Sequence, residues 1–583
     1  MKYKQIIISF VLIALLGVVA YGNSLKGEFL WDDNFLIKEN KYIKDWSYWP
    51  KAFTENIEAG ARKETSFYRP LQVFSYMLDY SFWTLDSRGY HLTNLILHLL
   101  AALMVFWFIN LLYDDWFVSL LSGVLFVVHP IHSEAVAYIS GRSDSLAAIF
   151  LLLTFIFYIR YGKLRNTLSY LLMLCAYILA LLSRESSIIL PVLLLIYHYC
   201  FKKKIDLNTF VSLSALAFAY MVLRLTLFRG FLSHLTCSTT LLQRIPGFLK
   251  AIAAYFRLLI VPFDLHMEYV NELFSFRDVQ VLIGLFLLCA FIYFAIKLRQ
   301  KDSLVSFSIL WFFAALIPYS SLYPINAYMA EHWLYFPSIG FFIILARALS
   351  LLYRNQRLRV LAAILFMALL LSNICLSIRQ NEYWSEAILF YVRTLKYAPN
   401  SWRTYYNLGN TYRDINESEK AESAYKKVIS LNPQFAQTYN NLGLIYDERG
   451  KDAEAFSLYK KAVELEPELA QGHYNLGLVY ERSKKRKEAI AAYQEAINLD
   501  PEFIEAYNNL GNVYYSLRQY EKAIGFYKKV IELDPKIAQI YYNLGNAYNA
   551  LNRKDKAKAA YKKAGDLGCD IPALIEILKT YGK

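Results

Sequence analysis

Long apolar runs constrain the fold of this chain more than any other feature of its sequence. They begin near residues 6, 91, 116, 144, 167, 187, 208, 279, 303, 335 and 358. A helix needs about 20 apolar residues to cross a bilayer, and a hydrophobic content of 56% is too high for an ordinary soluble protein. The sequence therefore predicts an all-helical, polytopic membrane domain of about eleven spans, with the shortest runs at 116–130 and 167–201.

The basic residues of the short loops orient these spans. We expect a cytoplasmic N-terminus and a first apolar run that is retained as an anchor. The loops that then share its side are rich in Lys and Arg: 160–165, 202–204, 297–301 and 354–359. This positive-inside pattern explains the net charge of +14, so we expect no nucleic-acid partner.

Residues 247–261 are the segment on which this orientation depends. Lys250 and Arg257 lie seven residues apart and share one helix face, while the opposite face is apolar. We predict an amphipathic helix on the outer membrane surface. A twelfth span is the alternative, and it would move the C-terminal domain to the other side of the membrane.

A 34-residue period begins after the last apolar run. Glycines recur at 409, 443, 477, 511 and 545, and prolines and tyrosines follow the same spacing. This period is typical of tetratricopeptide repeats, in which pairs of helices stack into a solenoid. We predict a membrane domain over 1–378, a connector with half a repeat over 379–399, five repeats over 400–569 and a capping segment over 570–583.

One asparagine recurs in the first helix of every repeat. The positions are Asn407, Asn441, Asn475, Asn509 and Asn543. Each amide offers donors and an acceptor, so a ladder of them can hold the backbone of an extended peptide. The pattern resembles the asparagine ladder of the O-GlcNAc transferases. The alternative is that these amides only link neighbouring helices.

Polar clusters interrupt or flank the apolar runs, and the predicted topology places them all on the outer side. Groups of this kind are costly near hydrocarbon and indicate a functional site. They are Trp31-Asp32-Asp33, Tyr68-Arg69-Pro70, His91 with Asn94, His129-Pro-Ile-His132-Ser-Glu134, Gly141-Arg142-Ser-Asp144, Arg184-Glu185 and Glu331-His332.

These clusters, in this order and followed by the repeats, resemble the transmembrane and tetratricopeptide-repeat O-mannosyltransferases, which are GT-C glycosyltransferases. The resemblance covers essentially the whole chain. It implies a polyprenyl- or dolichyl-phosphate-linked mannose donor and transfer to protein Ser/Thr hydroxyls at the extracytoplasmic face, with the repeats recruiting the acceptor. The chain departs from the family at Arg184-Glu185-Ser186, where Lys-Glu-Thr is usual, and at His332, where Arg is common.

The acidic pair in the first outer loop is where this class keeps its catalytic base. A carboxylate must accept the proton of the acceptor hydroxyl, so we predict Asp33 or Asp32 as the base and the other as its partner. Adjacent residues of an extended segment point to opposite faces, so only one is expected to reach the acceptor. A turn or cap without catalytic role is the alternative.

Arginine and histidine side chains are predicted to bind the donor phosphate, with carboxylates that orient them. The donor-side and substrate candidates are Arg69, His91, His129, His132, Glu134, Arg142, Asp144, Arg184, Glu185, Glu331 and His332. The alternative is that Arg142 pairs with Asp144 and Arg184 with Glu185 as structural salt bridges. The spacing of His129, His132 and Glu134 matches no strong zinc pattern, and no metal is predicted.

Three other functions stay open on the sequence alone. A GT-C enzyme could transfer another sugar, or act on a glycan or lipid acceptor. A non-enzymatic membrane scaffold would need the repeats but not the aspartates. A transporter usually has duplicated halves and mid-membrane polar groups, which this sequence lacks. Short loops with many Lys and Ile favour a prokaryotic cell membrane, and the endoplasmic reticulum is the eukaryotic alternative.

Overall fold

The computed structural model describes residues 2–572, 574 and 577, apart from 62, 64, 66, 228–239, 270–272 and 321–326. The chain divides into two compact units, Met1–Pro399 and Asn400–Lys583. Every regular element in the described residues is a helix, which confirms the predicted all-helical fold class. Most of the predicted capping segment, 570–583, lies outside the described residues.

The first unit contains sixteen α-helices among its described residues, with short 3₁₀ turns and one π-helix, Asn34–Lys38, between them. They are α1 (Lys2–Tyr21), α2 (Lys41–Lys44), α3 (Pro70–Trp83), α4 (Ser87–Tyr113), α5 (Trp116–Val128), α6 (Ser133–Ala137), α7 (Arg142–Leu164), α8 (Thr167–Ser183), α9 (Leu190–Phe201), α10 (Leu207–Leu227), α11 (Leu241–Ile260), α12 (Val279–Leu298), α13 (Ser303–Ala315), α14 (Ser338–Arg354), α15 (Arg359–Tyr383) and α16 (Ala387–Tyr397).

All eleven predicted apolar runs fall on helices. Within the described residues, six helices are long and apolar enough to cross a bilayer: Lys4–Lys26, Ser87–Tyr113, Ile139–Leu164, Leu207–Thr226, Val279–Leu298 and Arg359–Tyr383. A seventh crossing is formed if α5 continues through residues 130–137, across a 53° bend. These helices identify a membrane protein, while the number of crossings stays a prediction.

Of the two shortest runs, the one at 116–130 lies in the interior of the unit, whereas the helices of 167–201 are partly exposed. All but two residues of α5 are buried, and α7 is buried along most of its length. A helix that is apolar all round is stable when other helices surround it. Pro130 has no N–H to continue the hydrogen-bond ladder of α5, so the chain turns there and begins α6 in a new direction.

Helix α11 includes the predicted amphipathic segment. Leu249, Ile252 and Tyr255 lie on its buried face, and Arg257 is exposed. Gly284 allows α12 to approach closely, since a Cβ there would lie 1.8 Å from the Leu249 carbonyl oxygen. The helix and its two faces match the prediction, and its position on the outer surface stays an expectation.

The second unit consists of paired helices with the predicted 34-residue spacing. Within the described residues they are α17 (Trp402–Asp414), α18 (Ser418–Leu431), α19 (Ala436–Glu448), α20 (Asp452–Leu465), α21 (Ala470–Arg482), α22 (Arg486–Leu499), α23 (Ile504–Ser516), α24 (Tyr520–Leu533), α25 (Ala538–Ala550) and α26 (Lys554–Asp566).

A glycine and a tyrosine fix the close approach of the two helices in each pair. A Cβ on Gly477 of α21 would lie 2.5 Å from Cε1 of Tyr493 in α22. The other four pairs repeat this contact at 2.6–2.7 Å. The tyrosine ring therefore fills the space that any side chain larger than hydrogen would need.

Candidate active site

Asp33 is buried in the segment between α1 and α3, and its carboxyl group accepts three hydrogen bonds. Its Oδ2 accepts the Leu30 N–H at 3.0 Å. Its Oδ1 accepts the Ser140 N–H at 3.0 Å and the Ser140 hydroxyl. The side chain is 1% exposed, and this burial raises the pKa of the carboxyl to about 7. Asp33 therefore ties the loop to the turn before α7.

Asp32 has a different environment from its neighbour. Its side chain is half-buried, and its backbone N–H donates to the Tyr138 hydroxyl at 3.1 Å. The Asp32 carboxylate adds to burial in raising the pKa of Glu58 to about 7. It also attracts the Lys63 ammonium, whose pKa burial lowers. Of the two aspartates, Asp32 is the one whose side chain is accessible to a substrate.

Two ion pairs bring α3, α7, α8 and the turn before α9 together. Arg69 binds Glu185 bidentately, with Nε–Oε2 and Nη2–Oε1 distances of 3.1 and 2.9 Å. Arg184 forms a buried ion pair with Asp144. The Ser143 hydroxyl accepts from both guanidinium groups, at 3.4 Å from Arg69 and 3.1 Å from Arg184. Four of the predicted donor-side residues therefore form one cluster.

A third arginine joins this cluster although the sequence analysis did not select it. Arg224 of α10 interacts electrostatically with Glu185 and with Tyr220. Arg224 could have been selected because it lies inside an apolar run, where ionisable residues are rare and usually functional. Arg69, Arg184 and Arg224 face the carboxylates Asp144 and Glu185, so the cluster gathers three guanidinium groups around two acids.

Glu134 and His332 form a second polar contact on this side of the unit. The His332 N–H donates to Glu134 Oε2 at 2.9 Å, and its Nδ1 lies 2.6 Å from Oε1. His332 also interacts electrostatically with Asp144, so this pair adjoins the arginine cluster.

Glu331 points into the protein rather than toward the cluster. It accepts the His266 N–H at 2.6 Å and the Tyr269 hydroxyl at 2.7 Å. Burial, together with the nearby Glu134 charge, raises the pKa of Glu331 well above its usual value. Its hydrogen bonds hold the loop between α11 and α12 rather than a ligand.

Arg142 is fully buried, and most of its donors are used within the protein. It forms a 2.7 Å ion pair with Asp79 and also donates to Asn94 Oδ1, Ser75 Oγ and the Tyr90 carbonyl, at 3.0, 3.1 and 3.2 Å. The alternative pairing of Arg142 with Asp144 and of Arg184 with Glu185 is wrong, because α3 supplies the partners Asp79 and Arg69. Arg142 joins α3, α4 and α7 instead of lining the cluster.

Three of the four predicted histidines lie in the interior. His129 donates from Nε2 to the Leu259 carbonyl at 3.2 Å and accepts the Ile131 N–H at 3.2 Å through Nδ1. His132 bridges the Phe126 carbonyl and the Ser338 hydroxyl, at 2.9 and 3.1 Å. His91 is 1% exposed. None of them reaches the arginine cluster, and no group of metal-ligating side chains is found within the described ranges.

In the second unit, four of the five repeated asparagines link successive repeats. Asn441 donates to Tyr406 and Asn410 of the preceding repeat, at 3.1 and 2.9 Å. The other three repeat this contact: Asn475 with Asn440, Asn509 with Tyr474, and Asn543 with Asn508. The structure therefore favours the alternative in which these amides join neighbouring helices. Asn407 lies in the first repeat and is half-buried.

Comparisons with known proteins agree with this two-part organisation. Family models described as "Tetratricopeptide repeat" match residues 402–435, 424–456, 504–537 and 526–559. A model described as "TPR repeat" matches residues 445–484 and 483–518. The crystal structure of MamA protein is 32% identical, covers 29% of this chain and 92% of that chain, and has a TM-score of 0.27.

The curated relatives extend into the membrane unit. A protein O-mannosyl-transferase of Caenorhabditis elegans is 26% identical over 74% of this chain and 63% of its own length. The human protein O-mannosyl-transferase TMTC3 is 25% identical over 72% of this chain and 54% of its own length. The human protein O-mannosyl-transferase TMTC2 is 33% identical over 26% of this chain and 18% of its own length. The chain thus spans less than two thirds of these relatives.

These matches confirm the resemblance that the motifs predicted. Over 74% of its length the chain is similar to a protein O-mannosyl-transferase, and its C-terminal unit consists of tetratricopeptide repeats.

Proposed function

We propose that this protein is a membrane glycosyltransferase that moves mannose from a polyprenyl-phosphate-linked donor to Ser/Thr hydroxyls of proteins. Transfer takes place at the extracytoplasmic face, and the repeats recruit the acceptor. The names of the relatives support the sugar and the acceptor. The observation that carries the proposal is the pairing of an accessible carboxylate, Asp32, with a buried carboxylate, Asp33, that fixes its loop.

Asp32 acts as the general base toward the acceptor hydroxyl. An alcohol is a poor nucleophile at neutral pH, and a positioned carboxylate that accepts its proton accelerates transfer about 10²–10⁴-fold. Asp33 does not take this part because its side chain is buried and already accepts three hydrogen bonds. It is a positioning residue that holds the backbone of Asp32 through Ser140.

The arginine cluster binds the phosphate that leaves with the lipid. Negative charge grows on that phosphate as the bond to the sugar breaks, and guanidinium groups stabilise such charge bidentately. Asp144 and Glu185 hold Arg184 and Arg69 in place before the donor binds. Arg224 adds a third guanidinium group that can attract the donor phosphate.

The repeat unit recruits the acceptor protein. Helical repeats of this kind present extended surfaces for partners. The contacts of Asn441 with Tyr406 and Asn410 already use both its N–H groups, so a bound peptide would have to displace bonds between repeats. We therefore assign recruitment to the surface as a whole and not to the asparagine ladder alone.

Mannose transfer from polyprenyl-phosphate-mannose to membrane-extracted protein acceptors tests the catalytic assignment. We expect wild type to label acceptors and Asp32→Asn to lower the rate at least about 100-fold, because the base is lost and the shape is kept. Glu39→Gln is the matched control, since Glu39 is an exposed acid in the same loop. Full labelling by Asp32→Asn would refute the assignment.

Two further outcomes separate the alternatives. Labelling with another lipid-linked sugar but not with mannose would favour a different GT-C transferase. Absence of transfer from every donor, with normal binding of a protein partner by the repeats, would favour a scaffold.

A further inference from the structure

A second polar site lies at the end of α7 that is remote from the arginine cluster. It is a recess of about 180 Å³ where α7 and α9 end and α10 begins. Its lining residues that matter here are Tyr158, Lys163, Arg165, His198, Lys203 and Lys204. Asp144 and Leu164 are separated by 20 residues of one helix, which corresponds to about 30 Å. The recess is therefore separate from the candidate active site.

A chain of hydrogen bonds builds the inner wall of the recess. The Lys203 carbonyl can only accept, so His198 donates to it from Nδ1, at 3.1 Å. Nε2 of His198 then accepts the Tyr158 hydroxyl, at 2.5 Å. These bonds fix the backbone of the loop after α9 against α7. The lysines that follow are consequently presented from a defined position.

The charge of the recess is unbalanced. Its carboxylate, Asp206, is bound by Arg165 at 2.5 Å and by the Thr209 hydroxyl at 2.9 Å. The other cations, Lys163, Lys203 and Lys204, are exposed, and none has an ion-pair partner among the described residues. Three cations that converge on one recess create a strong positive potential, which favours an anion.

The surroundings of the recess are those of a membrane surface. The three helices that form it are apolar up to this point. Tyr161 and Tyr197 also line it, and tyrosines are enriched where a bilayer meets water. The positive-inside pattern requires basic loops on this side, but it does not require their lysines to surround a cavity.

We propose that this recess binds the phosphate of an anionic phospholipid headgroup. Basic pockets between helix ends on the cytoplasmic side recognise such headgroups through the phosphate charge. The acyl chains would lie along the apolar helices below. A soluble phosphate shares the same chemistry, and the experiment distinguishes the two sources.

The test measures lipid binding to the full chain. The protein is purified in detergent, stripped of lipid and mixed with phosphatidylglycerol, with phosphatidylcholine or with inorganic phosphate. Native mass spectrometry counts retained lipid, and thermal unfolding reports stabilisation. We expect preferential retention of phosphatidylglycerol by wild type. Lys203→Gln combined with Lys204→Gln should weaken it at least about tenfold, since each lysine contributes about fivefold.

Lys202→Gln is the matched control. Lys202 is an exposed lysine of the same loop, next to Lys203, but it does not line the recess. We expect it to retain lipid as wild type does. Equal losses from the control and the double variant would overturn the proposal, because charge alone would then explain binding. Stabilisation by inorganic phosphate equal to that by phosphatidylglycerol would also overturn it, in favour of a soluble anion.

Discussion

Asp33 is buried and accepts hydrogen bonds from three donors. These two features shift the pKa of its carboxyl group in opposite directions. The Leu30 N–H and the Ser140 N–H and hydroxyl favour the ionised carboxylate, while removal from water favours the protonated acid. Burial is the larger effect, which is why the pKa rises to about 7. The residue that anchors the loop is therefore one whose charge changes near neutral pH.

This pKa predicts a pH dependence of stability. The folded protein holds the Asp33 proton up to about pH 7, whereas the unfolded chain releases it near pH 3.8. The contribution to stability is therefore present below pH 3.8 and is lost as the pH rises toward 7, by an amount on the order of 4 kcal/mol. We expect the thermal midpoint of wild type to fall from pH 5 to pH 8.

Asp33→Asn provides the comparison, since an amide does not titrate in this range. Its midpoint should vary less over the same interval when both proteins unfold in the same detergent. Parallel curves for the two proteins would contradict the assignment of the pH dependence to Asp33.

At the residue scale, the sequence was a better guide to the identity of the candidate site residues than to their contacts. The expectation that only one of Asp32 and Asp33 is accessible agrees with the structure. Its premise of an extended segment is wrong, because Asp33 has a helical backbone and is followed by the π-helix Asn34–Lys38. The ion-pair partners could not be predicted, because they come from distant segments. Arg69 meets Glu185 across 116 positions, and Arg142 takes Asp79 from α3 rather than the nearby Asp144.

At the scale of helices, hydropathy located every apolar run but not its length in the structure. Helix α5 has only 13 residues, and Pro130 explains why it ends where it does. Because α5 is buried among other helices, it is stable although it is short. This burial could not be predicted from the apolar run alone, since it depends on which helices pack around it. The repeat period, in contrast, gave the paired helices of the second unit directly, since each pair contacts only its neighbours.

The contact between glycine and tyrosine predicts how the repeats respond to substitution. Gly477→Ala should destabilise the repeat unit by about 1–3 kcal/mol, because the new methyl group must displace the Tyr493 ring. Gly525→Ala is the matched control. Its Cβ would meet no atom within 4 Å, so the higher helix propensity of alanine should stabilise α24 by up to about 1 kcal/mol.

Urea unfolding of residues 400–583, followed by circular dichroism, measures both changes. Opposite signs are expected for the two variants. A destabilisation of equal size at both positions would mean that the glycines serve a purpose other than close packing of the helices.

At the scale of the whole molecule, the two units are predicted to have separate roles, with transfer in the membrane unit and acceptor recruitment in the repeats. If the repeats recruit the acceptor, a chain that ends at Pro399 should still glycosylate a short Ser/Thr peptide at high concentration. It should lose most transfer to a folded protein acceptor. Initial rates for both acceptors, measured with equal amounts of the full and shortened chains, test this expectation. Equal losses for peptide and protein would show that the repeats are needed for the chemistry or the fold of the membrane unit.

The uniform contact between each glycine and its tyrosine also bears on how such a protein can evolve. Since all five repeats use the same pair at the same spacing, one 34-residue unit can be gained or lost by recombination without redesign of the remaining units. The length of the repeat surface can then change independently of the membrane unit. If the repeats recruit acceptors as proposed, lineages can in this way change which proteins are bound while the membrane unit stays the same.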